Sequence, residues 1–157
     1  MSTTVDLNAD MGESFGPWVM GNDLALLDVV SSANIACGFH AGDAVTMSET
    51  VSLALKHNLE IGAHPGYPDL QGFGRRDMDI DPKTLKSMIL YQIGALRAIV
   101  ESQGGRLHHV KAHGALYNNA SRNAGTALAI VSAVKEISDI IILYVPPNSE
   151  LLKAALS

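Results

Sequence analysis

The segment Thr3–Asp10, TTVDLNAD, alternates apolar and polar residues and therefore predicts a β-strand. Side chains of a strand point alternately to its two faces. One face of this strand would carry Val5, Leu7 and Ala9. The opposite face would carry an amide and two carboxylates, contributed by Asp6, Asn8 and Asp10. Charged groups are rarely buried without partners, so this polar face indicates a strand that lines a cavity.

Strand-like runs alternate with helix-like runs along the whole chain. Strands are predicted near residues 3–9, 32–38, 60–65, 107–113 and 139–146. Helices are predicted near residues 23–31, 44–57, 82–103, 122–136 and 148–156. The third helix is the best defined, because Asp81 can cap it, Pro82 suits its first position and Gly104 can end it. Five βα units in 157 residues predict one α/β domain with a parallel sheet.

Two architectures fit this pattern. A five-stranded open, doubly wound sheet with helices on both faces suits the length, whereas a closed parallel β/α barrel normally needs about 250 residues. In both architectures, ligands bind beyond the carboxyl ends of the strands.

Polar residues stand at the carboxyl ends of four predicted strands, each close to a glycine or proline. They are Asp10, His40, His64 and His113. We expect an active cavity there, with Asp10 at its mouth and Asp6 and Asn8 deeper. Burying carboxylates costs several kcal/mol unless they are paired, so Lys111 on a facing strand is their expected partner. Alternatively, Asp6 lies at a solvated edge of the sheet.

Several other residues have competing interpretations. Asp43 can cap the second helix, contact a ligand or do both. Cys37 falls on the strand face opposite His40, and we expect a buried apolar residue rather than a nucleophile. The remaining histidines lack the strand-end placement and are expected to be structural; they are His57, His108 and His109.

Two arginines follow one another in a glycine-rich loop. Arg75 and Arg76 suit capture of a carboxylate or phosphate, but they can equally pair with Asp77 or Asp79. The loop lacks the GxxxxGK[ST] pattern, so a Walker-type nucleotide site is not supported. An aspartate with two or three histidines can also bind a divalent metal ion, although the chain has no HExxH or similar local signature.

Composition narrows the classes of partner. The formal net charge is -5 and there is no basic cluster beyond the arginine pair, which argues against nucleic acid. The sequence has no apolar run of membrane-spanning length and no signal-peptide pattern, so no membrane association is expected. A single cysteine excludes an internal disulfide and agrees with a cytoplasmic location.

Four long blocks of this sequence resemble the signature blocks of the LamB/YcsF family. They are DLNADMGE (6–13), SANIACGFHAGD (32–43), GAHPGYPDLQGFGRR (62–76) and VKAHGALYN (110–118). The blocks occur in the family's order and the match covers essentially the whole chain. The family pattern has proline where this chain has Ala44 and Ala112, and often serine at Gly66, but none of these differences removes a polar group.

The resemblance implies a fold and an activity. The implied fold is a deformed, seven-stranded parallel β/α barrel of the glycoside hydrolase and polysaccharide deacetylase type. The implied activity is the ATP-dependent hydrolysis of the 5-oxoproline lactam to glutamate, as one component of a 5-oxoprolinase with separate subunits B and C. ATP is then a cofactor of the holoenzyme, and a divalent metal is a further candidate.

The resemblance also implies site residues. The catalytic set comprises Asp10, His64 and His113. The substrate-binding set comprises Glu13, His40, Asp43, Asp69, Arg75 and Lys111, to which the polar face of the first strand adds Asn8. We expect Asp10 or His64 to be the base, His113 the acid, and Lys111 with Arg75 to stabilise developing charge.

Chains of this family are usually longer. We therefore expect residues 1–157 to form a single β/α domain that is a C-terminally truncated or split barrel of about five units. An open barrel exposes two strand edges, so we also expect self-association or pairing with the missing part. Two alternatives to the lactam-hydrolysing component remain: a metal-dependent, deacetylase-like hydrolase, and a non-catalytic binding or scaffold protein.

Overall fold

The computed structural model describes residues 4–157 and contains one parallel sheet of five strands. The strands are β1 (Asn8–Met11), β2 (Ser32–Ala36), β3 (Glu60–His64), β4 (Leu107–Val110) and β5 (Ile142–Leu143). The predicted α/β class is confirmed, and each strand falls inside or beside its predicted run. The first strand starts later than predicted, at Asn8, and the predicted start at Thr3 lies outside the described residues.

Six helices connect and follow these strands. They are α1 (Asp23–Leu26), α2 (Ala44–Lys56), α3 (Pro82–Ser102), α4 (Gly114–Arg122), α5 (Ala124–Ile137) and α6 (Glu150–Leu156). The predicted cap of α3 is confirmed, since the Asp81 side chain accepts a hydrogen bond from the Thr84 N–H at 3.0 Å. Ile89, Ile93 and Leu96 on its apolar stripe are fully buried.

Two helix predictions were wrong. The first helix is one turn instead of residues 23–31, because none of the α1 side chains is buried and a short helix needs packing to persist. In the second case, α4 was missed altogether. Gly114 adopts a φ of 51°, which lets the chain turn from β4 directly into α4, and Asn123 then caps the separate helix α5.

The strand order decides between the two predicted architectures. The strands lie in the order β1-β2-β3-β4-β5, and every neighbouring pair is parallel. A doubly wound sheet requires a point where the strand order reverses, and this order has none. Right-handed crossovers then put the helices on one face, as in a β/α barrel. The open doubly wound alternative was therefore wrong.

Contacts across the other face show that the sheet is strongly curved. The Lys111 Nζ atom, just after β4, donates to Asp10 Oδ1 on β1 at 2.7 Å. The Tyr144 hydroxyl, just after β5, donates to Asp6 Oδ2 before β1 at 2.7 Å. Side chains from the two ends of the sheet therefore meet over its concave face, while the apolar core lies between the sheet and the helices.

The two outer strands leave apolar side chains in solvent. Val5 and Leu7, which precede β1, are exposed. Ile140, which precedes β5, and Ile142 on β5 are also exposed. These are the edges that an open barrel segment is expected to expose. No helix between residues 4 and 157 combines the length and apolar character needed to cross a membrane.

A glycine on β3 gives a direct test of this packing. A Cβ atom on Gly62 would lie 2.1 Å from His109 Nε2, because the imidazole crosses the sheet directly above it. We expect Gly62→Ala to lower the free energy of unfolding by about 1–3 kcal/mol, as overpacking does. Urea denaturation followed by circular dichroism measures the change.

Gly94 on α3 is the matched control, because a Cβ atom there meets no tertiary neighbour within 4 Å in the described part of the chain. Gly94→Ala should stabilise the protein by about 0.5–1 kcal/mol through helix propensity. Equal stability of Gly62→Ala and the wild type would contradict the described position of His109.

Candidate functional site

A cleft of about 340 Å³ opens at the carboxyl ends of the strands. It is lined by Asp10, His64, Arg75, Lys111, Ala112, His113, Gly114, Ala115, Tyr117 and Asn118. The predicted catalytic residues Asp10, His64 and His113 therefore meet in one place. They do so because each lies at or near the carboxyl end of a strand, and parallel strands bring their carboxyl ends to the same edge.

Asp10 is held by contacts on both carboxylate oxygens. Oδ1 accepts hydrogen bonds from Lys111 Nζ at 2.7 Å and Asn34 Nδ2 at 2.8 Å, and Oδ2 lies 3.4 Å from His64 Nε2. Burial acts to raise the pKa of Asp10, but the contacts with His64, Lys111 and Asn34 outweigh it and hold that pKa well below its usual range. Asp10 is therefore a carboxylate at neutral pH, and its predicted pairing with Lys111 is confirmed.

Three histidine rings are packed behind and beside Asp10. The rings of His40 and His113 are stacked with centroids 3.7 Å apart, and His64 stands edge-on to His113 at 4.9 Å. Burial lowers the pKa of His40 to about 3 and that of His113 to about 4, and repulsion between the neighbouring imidazoles adds to the effect. His40 and His113 are therefore neutral near pH 7.

Hydrogen bonds to backbone carbonyls fix the orientation of two rings. His64 Nδ1 lies 2.6 Å from the Lys111 carbonyl oxygen, and His113 Nε2 lies 2.7 Å from the Phe73 carbonyl oxygen. A carbonyl oxygen only accepts, so both of these ring nitrogens carry protons. The other nitrogens, His64 Nε2 and His113 Nδ1, face each other at 3.0 Å.

Glu13 completes this group of side chains. Its Oε1 atom lies 3.3 Å from His40 Nε2 and 3.7 Å from His113 Nδ1. Burial raises the pKa of Glu13 above its usual range. Ligand atoms of all four residues, Glu13, His40, His64 and His113, lie within 4.8 Å of one another, so this set could hold a metal ion.

Arg75 supplies a second cation to the cleft beside Lys111. Its guanidinium lies 5.4 Å from the centre of the Phe73 ring, in a cation–π position. Among residues 4–157 it forms no ion pair with a carboxylate, so it is available to a negatively charged ligand. The neighbouring arginine differs, because Arg76 is paired with the buried carboxylate of Asp69.

Several predicted site residues lie outside the cleft lining. Asp43 caps α2, with Oδ1 accepting from the Val45 and Thr46 N–H groups, while Oδ2 accepts from the Gly16 N–H. Asp69 is engaged by Arg76, and Asn8 lies below Asp10, where it bonds Asn34. The ion pair between Arg76 and Asp69 was not predicted, because the expected partners of the arginines were Asp77 and Asp79.

Asp6 is placed differently from the leading expectation. It is exposed before β1 starts, where it accepts hydrogen bonds from Ser32 and Tyr144 and also from Ser31. The expectation that Asp6 lies deep in the cavity was therefore wrong, and the alternative of a solvated edge is confirmed. The reason is that β1 begins only at Asn8, two residues beyond Asp6.

Cys37 behaves as expected of a small apolar residue. It is buried, its thiol contacts the Ile35 carbonyl oxygen at 3.2 Å, and burial raises its pKa to about 12. A thiol with that pKa is not a nucleophile at neutral pH.

Sequence reasoning missed several members of the site. Asn34 and His109 form a buried hydrogen bond of 2.8 Å beneath Asp10, although His109 was expected to have no such placement. Tyr117 and Asn118 line the cleft from α4, the helix that was not predicted. The signal for His109 was present, because it lies in phase with Lys111 and His113 along the same run.

The known proteins most similar in sequence that we compared carry the same name. The chain is 55% identical over 155 residues to the 5-oxoprolinase A subunit of Bordetella pertussis, covering 99% of this chain and 62% of that protein. It is 54% identical over 154 residues to the 5-oxoprolinase A subunit of Methylococcus capsulatus, covering 98% of this chain and 59% of that protein. The chain thus spans about three fifths of the length of these relatives.

A solved structure agrees with the sequence comparison. The crystal structure of the lactam utilization protein from Thermus thermophilus superposes with a TM-score of 0.97 at 49% identity, covering 98% of this chain and 62% of that one. The sequence profile of the LamB/YcsF family matches residues 5–157, which include all four signature blocks. This chain therefore belongs to the LamB/YcsF family.

Proposed function

We propose that this chain binds 5-oxoproline in the cleft and takes part in its ATP-dependent hydrolysis to glutamate, as the A subunit of a 5-oxoprolinase. The observation that carries the proposal is the convergence of Asp10, Lys111 and Arg75 around one cleft of about 340 Å³. The names of the relatives, which refer to 5-oxoprolinase and to lactam utilization, support the same reaction.

The charges in the cleft suit this substrate. 5-Oxoproline carries a carboxylate next to a neutral five-membered lactam. Arg75 has no carboxylate partner among residues 4–157, which supports assigning it to the substrate carboxylate. Lys111 lies beside Asp10 and can stabilise negative charge that develops on the lactam oxygen.

Opening a lactam requires a proton acceptor and an activated carbonyl. The amide is unreactive, so ATP would first phosphorylate its oxygen. Water would then attack the activated carbon, the ring nitrogen would leave as the protonated amine, and hydrolysis of the resulting acyl phosphate would release phosphate and glutamate. Asp10 is ionised and partly exposed at the cleft, so it is available to accept a proton, but its low pKa makes it a weak base. His64 remains the alternative base. The acid role predicted for His113 requires that its neutral ring first accepts a proton.

The proposed enzyme has other components. The relatives are named as one lettered component of an enzyme, which supports assembly with further chains. We propose that subunits B and C supply the ATP-dependent steps that this cleft does not perform alone. The exposed apolar residues at both sheet edges support association, with those subunits or with further copies of this chain.

A second candidate has one observation in its favour. The cluster of Glu13 and three histidines is a donor set of the kind used by metal-dependent hydrolases, so a deacetylase-like activity on an amide or sugar is the alternative. A requirement for ATP separates the two candidates. Substrate binding without turnover would instead support a non-catalytic role.

The first prediction concerns the reaction itself. The purified chain, mixed with subunits B and C and ATP, should release glutamate from 5-oxoproline. Asp10→Asn and Lys111→Met should each lower the rate by at least about 100-fold, because a positioned base and a charge-stabilising donor each contribute about that much. A coupled glutamate assay measures the rate.

Matched controls are available on exposed surfaces away from the cleft. Asp139→Asn and Lys83→Met repeat the same chemical changes and should leave the rate unchanged. Full turnover by Asp10→Asn would remove Asp10 from the reaction. Absence of glutamate release from the complete mixture would overturn the proposed function.

The second prediction concerns pH and stability. The folded-state pKa values of His40, His109 and His113 are about 3, 4 and 4, whereas an unfolded histidine titrates near 6.5. As the pH falls below about 6.5, the unfolded chain takes up protons that the folded chain does not, and the folded state loses stability. The stabilisation by neutral histidines is therefore complete above about pH 6.5.

Each of these histidines should contribute a slope of about 1.4 kcal/mol per pH unit between about pH 6 and about pH 4. Urea denaturation at a series of pH values measures the free energy of unfolding directly. A stability profile that stays flat from about pH 7 to about pH 5 would contradict the neutral, buried state of these rings.

A further inference from the structure

The close approach of His64 Nε2 and His113 Nδ1 brings two lone pairs together, and a cation between them is needed to make it favourable. With His64 Nδ1–H and His113 Nε2–H committed to carbonyl oxygens, the nitrogens that face each other at 3.0 Å both carry lone pairs when the rings are neutral. Two acceptors at hydrogen-bond distance repel each other. A cation, either a metal ion or a proton, must therefore occupy this position to make the arrangement favourable.

The carboxylate of Glu13 supplies a third donor at the same position. Its Oε1 lies 3.7 Å from His113 Nδ1, and it belongs to the group whose ligand atoms lie within 4.8 Å of one another. Bonds of about 2.0–2.1 Å in a tetrahedral zinc site place ligand atoms about 3.3 Å apart. The observed separations of 3.0 and 3.7 Å lie on either side of that value.

His40 has a different relation to this position. Its ring is parallel to His113, with only 3° between the planes, so one ion cannot lie in the plane of both rings. His40 Nδ1 is buried without a hydrogen-bond partner among residues 4–157. An orphaned acceptor costs less than an orphaned donor, which puts the proton on Nε2, facing Glu13 at 3.3 Å. His40 thus orients the carboxylate.

We propose that Glu13 Oε1, His64 Nε2 and His113 Nδ1 bind a divalent zinc-class ion in the cleft, with His40 and the Lys111 and Phe73 carbonyl groups orienting these ligands. Two imidazoles and a carboxylate are a donor set that suits zinc and its borderline neighbours. Hydrogen bonds from ligand histidines to carbonyl groups are the usual support of such sites.

Three protein ligands would leave one coordination position free for water or a carbonyl oxygen, as in catalytic zinc sites. This inference deepens the proposed function and rests on it for the identity of the substrate only. It makes His64 and His113 ligands, and it leaves the base role to Asp10, whose Oδ2 lies 3.4 Å from His64 Nε2.

The test measures metal binding without reference to turnover. The full chain, stripped with a chelator, is titrated with Zn²⁺ by calorimetry, and the bound metal is counted by mass spectrometry after dialysis. Co²⁺ is the spectroscopic probe, because its visible absorption reports the ligand geometry. We expect one ion per chain and a tetrahedral Co²⁺ spectrum.

Variants separate ligands from orienting residues. Glu13→Gln keeps the shape of the side chain, so it should fold normally and weaken Zn²⁺ binding by more than about 100-fold. His113→Gln should have the same effect. His40→Gln should weaken binding only about 10–100-fold, as expected of a residue that orients a ligand. His57→Gln, on a histidine at the end of α2, is the control and should bind as the wild type does.

Several outcomes would overturn the proposal. One is a folded wild-type chain that binds neither Zn²⁺ nor Co²⁺, while its nitrogen NMR signals show a proton shared by His64 and His113. Another is unchanged Zn²⁺ affinity in Glu13→Gln. ATP-dependent glutamate release by a chain that binds no metal would leave the proposed function intact, whereas metal binding without glutamate release would support the site and count against that function.

Discussion

The concave face of the sheet depends on one buried amide, that of Asn34. Its Nδ2 donates to Asn8 Oδ1 at 2.5 Å and Asp10 Oδ1 at 2.8 Å, and its Oδ1 accepts from Asn8 Nδ2 at 3.1 Å and His109 Nε2 at 2.8 Å. All four hydrogen-bonding positions are used. A polar group left unpaired here would cost about 1–3 kcal/mol, so this amide fixes where its three neighbours lie.

Strand register makes that arrangement possible. Asp10, Asn34, Gly62 and His109 are consecutive partners across the four strands β1 to β4, so they form one row. Gly62 has no side chain, and the His109 ring occupies the space above it to reach Asn34 two strands away. The row in turn anchors one oxygen of Asp10 and leaves the other facing His64, which positions the carboxylate at the cleft.

Sequence reasoning succeeded where the signal is local. Alternation, Asp81 and Pro82 before α3, and the turn residues after each strand predicted the βα order and the meeting of Asp10, His64 and His113. It failed where a partner is chosen by register or by tertiary packing. Nothing near His109 in the sequence specifies Asn34 as its partner, and nothing in the glycine-rich loop specifies Asp69 as the partner of Arg76.

Polar side chains on the concave face form two levels, the lower row with Asn34 and the upper group of Glu13, His40, His64 and His113. The two levels differ in how many of their polar atoms have hydrogen-bond partners. In the lower row, Asn34 uses all of its hydrogen-bonding positions and holds Asp10 and His109 in place. The upper level buries neutral His40 and His113, leaves His40 Nδ1 without a partner among residues 4–157 and raises the pKa of Glu13. Apolar side chains would pack there at lower cost. Unsatisfied groups with shifted pKa values beside a cleft are typical of functional sites, because packing for stability alone does not favour them.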